Sequence, residues 1–167
     1  MATVVQGLSL DSAKFQTSGF PQVIPVQGTN FPIVGALGFD ATAVESCYWR
    51  IYPVNYGSGS VTVTVEWYAD TATSGAVTFR ANFAAITPNV DTQNVETKAL
   101  GSDNSASDTN LTNAQQAHSF DIVASNVDSM ADGDWVWLRL QRVPTDGGDT
   151  MIGDAIVTGV MISYSDT

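Results

Sequence analysis

The chain has 167 residues, a length that suits one domain with a sizeable core. It carries 17 acidic residues against six basic ones and a net charge of −11, which argues against a surface that binds nucleic acid or another polyanion over most of its area. Charged residues make up 14% of the chain, and much of its polarity comes from Thr, Ser, Asn, Gln and Gly. This mixture favours strands and turns over helices.

The first 32 residues are predicted to form an extended arm with one short strand near residues 23–26. The arm contains three prolines, which push the preceding residues toward extended geometry, and its apolar residues follow no period. Those apolar groups need to bury against either the chain's own domain or a neighbouring subunit, and both options stay open. The arm positions expected to make such contacts are Phe15, Phe20, Ile24 and Phe31.

Residues 33–167 are predicted to form a single all-β domain. The clearest signal is SVTVTVEWYAD at residues 60–70, where apolar and polar side chains alternate with a period of two. Further strands are expected at 33–40, 45–53, 75–86, 95–99, 118–124, 134–143 and 154–165. A polar loop at 101–113 and one helical turn within 125–134 complete the pattern. About eight strands separated by turns favour an eight-stranded jelly roll, an antiparallel β-sandwich; an immunoglobulin-like sandwich is second, because its Cys…Trp…Cys pattern is absent.

The stretch DWVWLRLQRV at residues 134–143 is predicted to be a central strand that is apolar on both faces. Alternation places Trp135, Trp137 and Arg139 on one face and an aliphatic row on the other. We expect the partner sheet to cover the aliphatic row, and the arm, a loop or another subunit to cover the tryptophans. Arg139 and Arg142 fall on opposite faces, so they cannot form one anion clamp and are expected to pair with acids.

A second pair of aromatic residues lies in ESCYWRIYP, where Tyr48 and Tyr52 share the face opposite Trp49. Tyrosine and tryptophan rings can stack on a sugar, and they are also enriched at subunit interfaces. Tyr48, Tyr52, Trp135 and Trp137 are therefore candidates for either a subunit interface or a glycan site.

Candidates for catalysis or metal binding are few. One cysteine, Cys47, and one histidine, His118, cannot fill a zinc site; we expect a buried, inert thiol and a packed or pairing imidazole. Asp146, Asp149 and Asp154 fall near one turn, but their spacing matches no calcium loop. The sequence also lacks a Gly-x-Ser-x-Gly motif and a phosphate-binding loop. We therefore expect no enzyme activity, no cofactor and no metal.

The N-terminal sequence MATVVQGLSLDSAKF has no basic segment followed by a continuous apolar one, so neither a secretion signal nor a membrane span is expected. We expect a protein that is made in the cytoplasm, stays soluble and binds neither a membrane nor nucleic acid.

Three pieces of the chain, YWRIYPVNYGSGSVTVTVEWYA, DGDWVWLRLQR and DTMIGDAIVTGVMISY, resemble small virion proteins of tailed bacteriophages. Over about residues 34–167 the pattern is similar to jelly-roll capsid cement, or decoration, proteins. This resemblance implies a homotrimer on the outer surface of the virion that binds and stabilises the shell of major capsid protein. In that setting the arm residues Phe15, Phe20, Ile24 and Phe31 would contact the capsid. The alternative is a receptor- or glycan-binding module of a phage tail fibre or spike.

Overall fold

The computed structural model describes residues 2–166, apart from the side chains of Ile33 and Val34. These residues form ten strands and one short 3₁₀ turn, Leu10–Ser12, and include no helix long and apolar enough to cross a membrane. The strands are β1 Thr3–Leu8, β2 Gln22–Gln27, β3 Pro32–Phe39, β4 Glu45–Ile51, β5 Val61–Ala69, β6 Ala76–Ile86, β7 Asn104–Thr109, β8 His118–Ala124, β9 Trp135–Arg142 and β10 Ala155–Ser165.

The strands form two antiparallel sheets that pack as a β-sandwich, so the predicted fold class is confirmed. The larger sheet has the order β2-β3-β10-β5-β8, and β1 pairs with the second half of β10. The smaller sheet has the order β4-β9-β6-β7. The predicted alternation holds in β5, where every second residue from Val61 is buried, and in β9, where Val136, Leu138 and Leu140 face the core.

The core lies between the two sheets and is dominated by aromatic and β-branched side chains. Phe39 of the larger sheet meets Phe79 of the smaller one edge to face, with ring centroids 5.2 Å apart. Trp49 and Trp67 are also almost fully buried, and each indole N–H donates a hydrogen bond, to the Ser9 carbonyl and to an Asp108 carboxylate oxygen respectively. Burying such rings while satisfying their polar atoms strongly favours this sandwich over other packings.

Residues of the N-terminal segment form two strands of the larger sheet. β1 pairs with β10 in the register Leu8↔Val160, and β2 pairs with β3 along residues 22–27. Leu8 and Ala13 are buried in the core. The segment is therefore extended in backbone and hydrogen-bonded to the sandwich, with one more strand than the sequence indicated.

Three local expectations between β6 and β9 are wrong. Residues 95–97 form a turn and residues 98–99 have no regular structure, so the strand expected at 95–99 is absent. The expected loop at 101–113 contains β7, which pairs with β6. The helical turn expected within 125–134 is absent; Asp128 and Ser129 instead have φ angles of 55° and 58°, in the left-handed region. Two consecutive residues in this region cannot belong to a right-handed helical turn.

Arg142 anchors the end of β9 from inside the protein. Its side chain is fully buried, and its Nε and one terminal nitrogen donate to the two carboxylate oxygens of Asp149, each at 3.0 Å. The same guanidinium donates to three backbone carbonyls, those of Phe39, Met151 and Gly153. Arg142 therefore links the loop after β9 to the end of that strand. The prediction that it pairs with an acid is confirmed.

Candidate functional site

The outer face of the smaller sheet brings together the aromatic residues that the sequence singled out. In the register of β4 and β9, Arg50 lies opposite Trp137 and Tyr48 lies opposite Arg139. Residues directly opposite in an antiparallel pair point to the same side, so both tyrosines of the β4 segment share a face with both tryptophans of β9. Alternation indicated each pair separately; the strand register places them together.

An aromatic cluster, made of Tyr52, Trp135 and Trp137 around the guanidinium of Arg50, occupies one end of this face. The Arg50 Cζ atom lies 4.3 Å from the ring centroid of Trp135, 5.2 Å from that of Tyr52 and 5.7 Å from that of Trp137. These are distances for cation–π attraction. Tyr52 is 57% exposed and Trp135 is 40% exposed, so the cluster is open to solvent.

A polar network occupies the middle of the same face. Arg139 donates to the side-chain oxygen of Asn82 at 2.7 and 3.1 Å, and Asn82 in turn donates to Asp103 at 2.6 Å. Arg80 donates to Asp103 at 2.8 Å and to Asp146 at 2.7 Å. The hydrogen bond from Arg80 lowers the pKa of the Asp146 carboxyl. The network fixes a row of amide, carboxylate and guanidinium groups beside the aromatic cluster.

The N-terminal segment extends this face beyond the edge strand β4. Lys14 and Tyr48 form an isolated antiparallel bridge, with N···O distances of 2.8 and 2.9 Å, which places the Lys14 side chain on the side of Tyr48. The face thus carries four of the six basic residues of the chain. They are Lys14, Arg50, Arg80 and Arg139. Only two acids, Asp103 and Asp146, pair with them in the described part of the chain.

Within the described residues, the expected cover over the tryptophans is incomplete. The arm's strands lie in the other sheet, and Trp135 stays open. Phe15 and Phe20 contact each other, with centroids 5.9 Å apart, close to the outer edge of β4. Both rings are exposed, as is Phe31. Ile24 is half-buried and packs over Gly38 of β3. That these residues contact a capsid stays a prediction.

The residues considered for catalysis have structural surroundings. Cys47 is fully buried, and its burial raises the pKa of the thiol well above its ordinary value. The His118 ring stacks on Trp67 with centroids 4.4 Å apart, and its Nδ1 lies 3.0 Å from an Asp108 oxygen. Both match the sequence-based expectation of a packed side chain.

The acids considered for metal binding are engaged within the protein. Asp149 pairs with Arg142, Asp146 pairs with Arg80, and Asp154 accepts a hydrogen bond from the Ala41 amide. Across residues 2–166 no group of three or more acidic, histidine or cysteine side chains is placed to hold a metal ion.

Sequence reasoning missed the partners that organise the face. Alternation places Arg50 on the side of Tyr48 and Tyr52, but its contact with Trp135, 85 residues further along the chain, depends on the pairing of β4 with β9. Neither Asn82 nor Asp103 lies in a sequence motif that indicates a binding site. The signal that could have found Asn82 is a polar residue at an alternate position within a mostly apolar strand, β6, where it is almost fully buried.

No protein-family model matches the chain, and no curated protein sequence matches it. Solved structures do share its fold. One is the CBM36-1 domain of a multidomain xylanase from the hindgut metagenome of Trinervitermes trinervoides, with a TM-score of 0.54 and 9% identity over 99% of this chain and 100% of that one. Another is a family 35 carbohydrate binding module from Clostridium thermocellum, with a TM-score of 0.52 and 13% identity over 97% of this chain and 98% of the module.

Neither of these structures is described as a virion protein, so they lend no support to the specific resemblance to capsid cement proteins. At these identities the likeness concerns the fold alone. The chain is a jelly-roll β-sandwich that shares its architecture with carbohydrate-binding modules.

Proposed function

We propose that this chain is a non-catalytic carbohydrate-binding protein that holds its ligand on the outer face of the smaller sheet. The observation that carries this proposal is the exposed aromatic cluster beside a fixed polar network. Sugar rings offer apolar C–H faces that pack on Tyr and Trp, and hydroxyl groups that need donors and acceptors at their rims. Tyr52 and Trp135 supply the first, and Arg139 and Gln141, which Asn82 and Ser46 hold in place, supply the second.

The ring geometry favours a short or terminal sugar. The Trp135 and Trp137 centroids are 6.3 Å apart, and the ring planes are inclined by 67°. Two rings inclined this way form a corner rather than one flat platform. Arg50 covers part of both rings, and a long straight chain would need coplanar rings to stack on. We therefore expect one or two sugar units to account for most of the affinity.

The two solved structures of similar fold are described as carbohydrate-binding modules, which supports the same class of function. Fold alone does not determine function, so the weight rests on the aromatic cluster. The proposal assigns no reaction to the chain. The capsid-cement role, the homotrimer, the contact with major capsid protein, the virion location and the setting in a tail fibre or spike stay predictions from the sequence.

A glycan array followed by isothermal titration calorimetry with the best ligand tests this function. Tyr52→Ala and Trp135→Ala are expected to weaken binding tenfold or more, since loss of a central aromatic contact costs more than about 1 kcal/mol. Tyr68→Ala is the matched control, because Tyr68 lies on the outer face of the opposite sheet. Binding to no glycan, or an equal loss in Tyr68→Ala, would overturn the assignment.

A further inference from the structure

We propose that the bound glycan carries a carboxylate, as in a uronic or sialic acid, and that Arg50 binds this group. The inference rests on the proposed function and specifies its ligand class. Arg50 is the one arginine of this acidic chain without an acidic partner among the described residues. The other three arginines all pair with acids: Arg80 with Asp103 and Asp146, Arg139 with Asp103, and Arg142 with Asp149.

Arg50 forms no ion pair within residues 2–166, although the chain has 17 acids to choose from. Its guanidinium is held instead by the faces of Tyr52, Trp135 and Trp137. Ring faces attract the positive charge but accept few of the five N–H groups, which are left to bind a ligand. A guanidinium that is already positioned also loses less entropy when it binds.

The electrostatics of the face favour an anion despite the net charge of −11. Lys14, Arg50, Arg80 and Arg139 contribute four positive charges, against two negative charges from Asp103 and Asp146. Asp132, which accepts a hydrogen bond from the Asn55 amide at 2.7 Å at the loop end of the face, adds a third negative charge, so the positive charges still exceed the negative ones by one. Charges elsewhere are screened over about 8 Å at physiological ionic strength. The face is thus locally positive on an otherwise acidic protein.

The geometry favours a carboxylate attached to a ring. A planar carboxylate can accept two parallel N–H bonds from a guanidinium, an arrangement that Lys cannot reproduce. Because Tyr52 and Trp135 flank Arg50, the sugar that carries the acid would contact these rings while its carboxylate meets the guanidinium. A neutral sugar would offer Arg50 only hydroxyl oxygens. Arg50 would therefore act as the specificity-determining residue, and the aromatic residues would supply affinity.

The test compares oligogalacturonate and a sialyl oligosaccharide with their methyl esters and with neutral galacto-oligosaccharides, by calorimetry at low and physiological salt. The ester keeps the sugar ring and its hydroxyl groups, and it replaces the carboxylate by a neutral group that is larger by one methyl. We expect at least one acid to bind tenfold or more tightly than its ester. Arg50→Gln should abolish that preference, and Arg50→Lys should restore only part of it. Lys14→Gln, which removes another cation from the same face, should lower affinity by no more than about threefold.

The outcomes separate this inference from the proposed function. Binding of neutral sugars that depends on Trp135, with no preference for an acid, would refute the carboxylate assignment and keep the function. Equal or tighter binding of a sulfated galactoside through Arg50 would also refute it, because the site would then recognise anions in general. A preference for the acid that persists in Arg50→Gln would refute the role of this residue. No binding to any of these sugars or to the array would refute both.

Discussion

Replacing Arg142 by methionine is expected to destabilise the protein by about 3–5 kcal/mol, the usual cost of removing one partner of a buried ion pair. Methionine keeps much of the side-chain length without the charge. The cost is high because Arg142 is 0% exposed and the Asp149 side chain is only 1% exposed, so water cannot replace the lost partner. The substitution also removes the donor from the carbonyls of Met151 and Gly153.

Urea unfolding followed by tryptophan fluorescence measures this effect, with thermal unfolding as a second readout. Unfolding temperatures of domains of this size change by about 2–4 °C per kcal/mol, so a decrease of roughly 6–20 °C is expected. The double variant Arg142→Met, Asp149→Leu is the matched control. The second substitution removes the buried Asp149 carboxylate that Arg142→Met leaves without a partner. The double variant should therefore be more stable than the sum of its single changes predicts, by about 0.5–3 kcal/mol.

Two results would contradict this reasoning. A loss of under about 1 kcal/mol in Arg142→Met would show that Asp149 finds compensating partners. If the losses in unfolding free energy of the two single variants simply add in the double variant, Arg142 and Asp149 do not stabilise one another. Either result would also remove the explanation for how β9 is held in the position that presents Trp135 and Trp137.

Three further predictions concern stability and thiol reactivity. Gly75→Ala should lower the free energy of unfolding in urea by more than about 1 kcal/mol, because Gly75 has a φ of 91° and a Cβ there would lie 2.7 Å from backbone atoms of residues 150 and 151. Glu45→Gln should stabilise the protein at neutral pH, because burial raises the pKa of this carboxyl above its ordinary 4.5 and its ionisation therefore opposes folding. The gain should vanish in unfolding curves measured well below pH 4.5, where the carboxyl is protonated in both states. Cys47 should react with a thiol reagent such as DTNB only after unfolding, and rapid reaction of the native protein would contradict its burial.

Local alternation predicted much of the sandwich correctly. β5 and β9 follow their period-two patterns because each has one face against the core and one face outward. β7 was missed because its sequence, NSASDT, has little apolar content and low strand propensity; pairing with β6 makes it a strand. The strand β1 was missed for a related reason: its partner, β10, lies at the other end of the chain.

The candidate site was predictable in its parts and unpredictable as a whole. Alternation correctly put Tyr48 with Tyr52 and Trp135 with Trp137. That these pairs share one surface follows from the register of β4 and β9, a contact between distant segments that no local pattern specifies. The same register creates the ring contacts of Arg50, which explains why the sequence showed an arginine and several aromatic residues without showing their relation.

The strict alternation of β9 separates two roles within eight residues. Its inward side chains pack the core and end in Arg142, whereas Trp135 and Trp137 contact solvent on the opposite side. Ligand preference could therefore change by substitution at positions 50, 52, 135 and 137 while the residues that hold the sandwich stay untouched. A combinatorial library at these four positions, displayed on phage or yeast and selected against different sugars, would use the sandwich as a scaffold for new lectins.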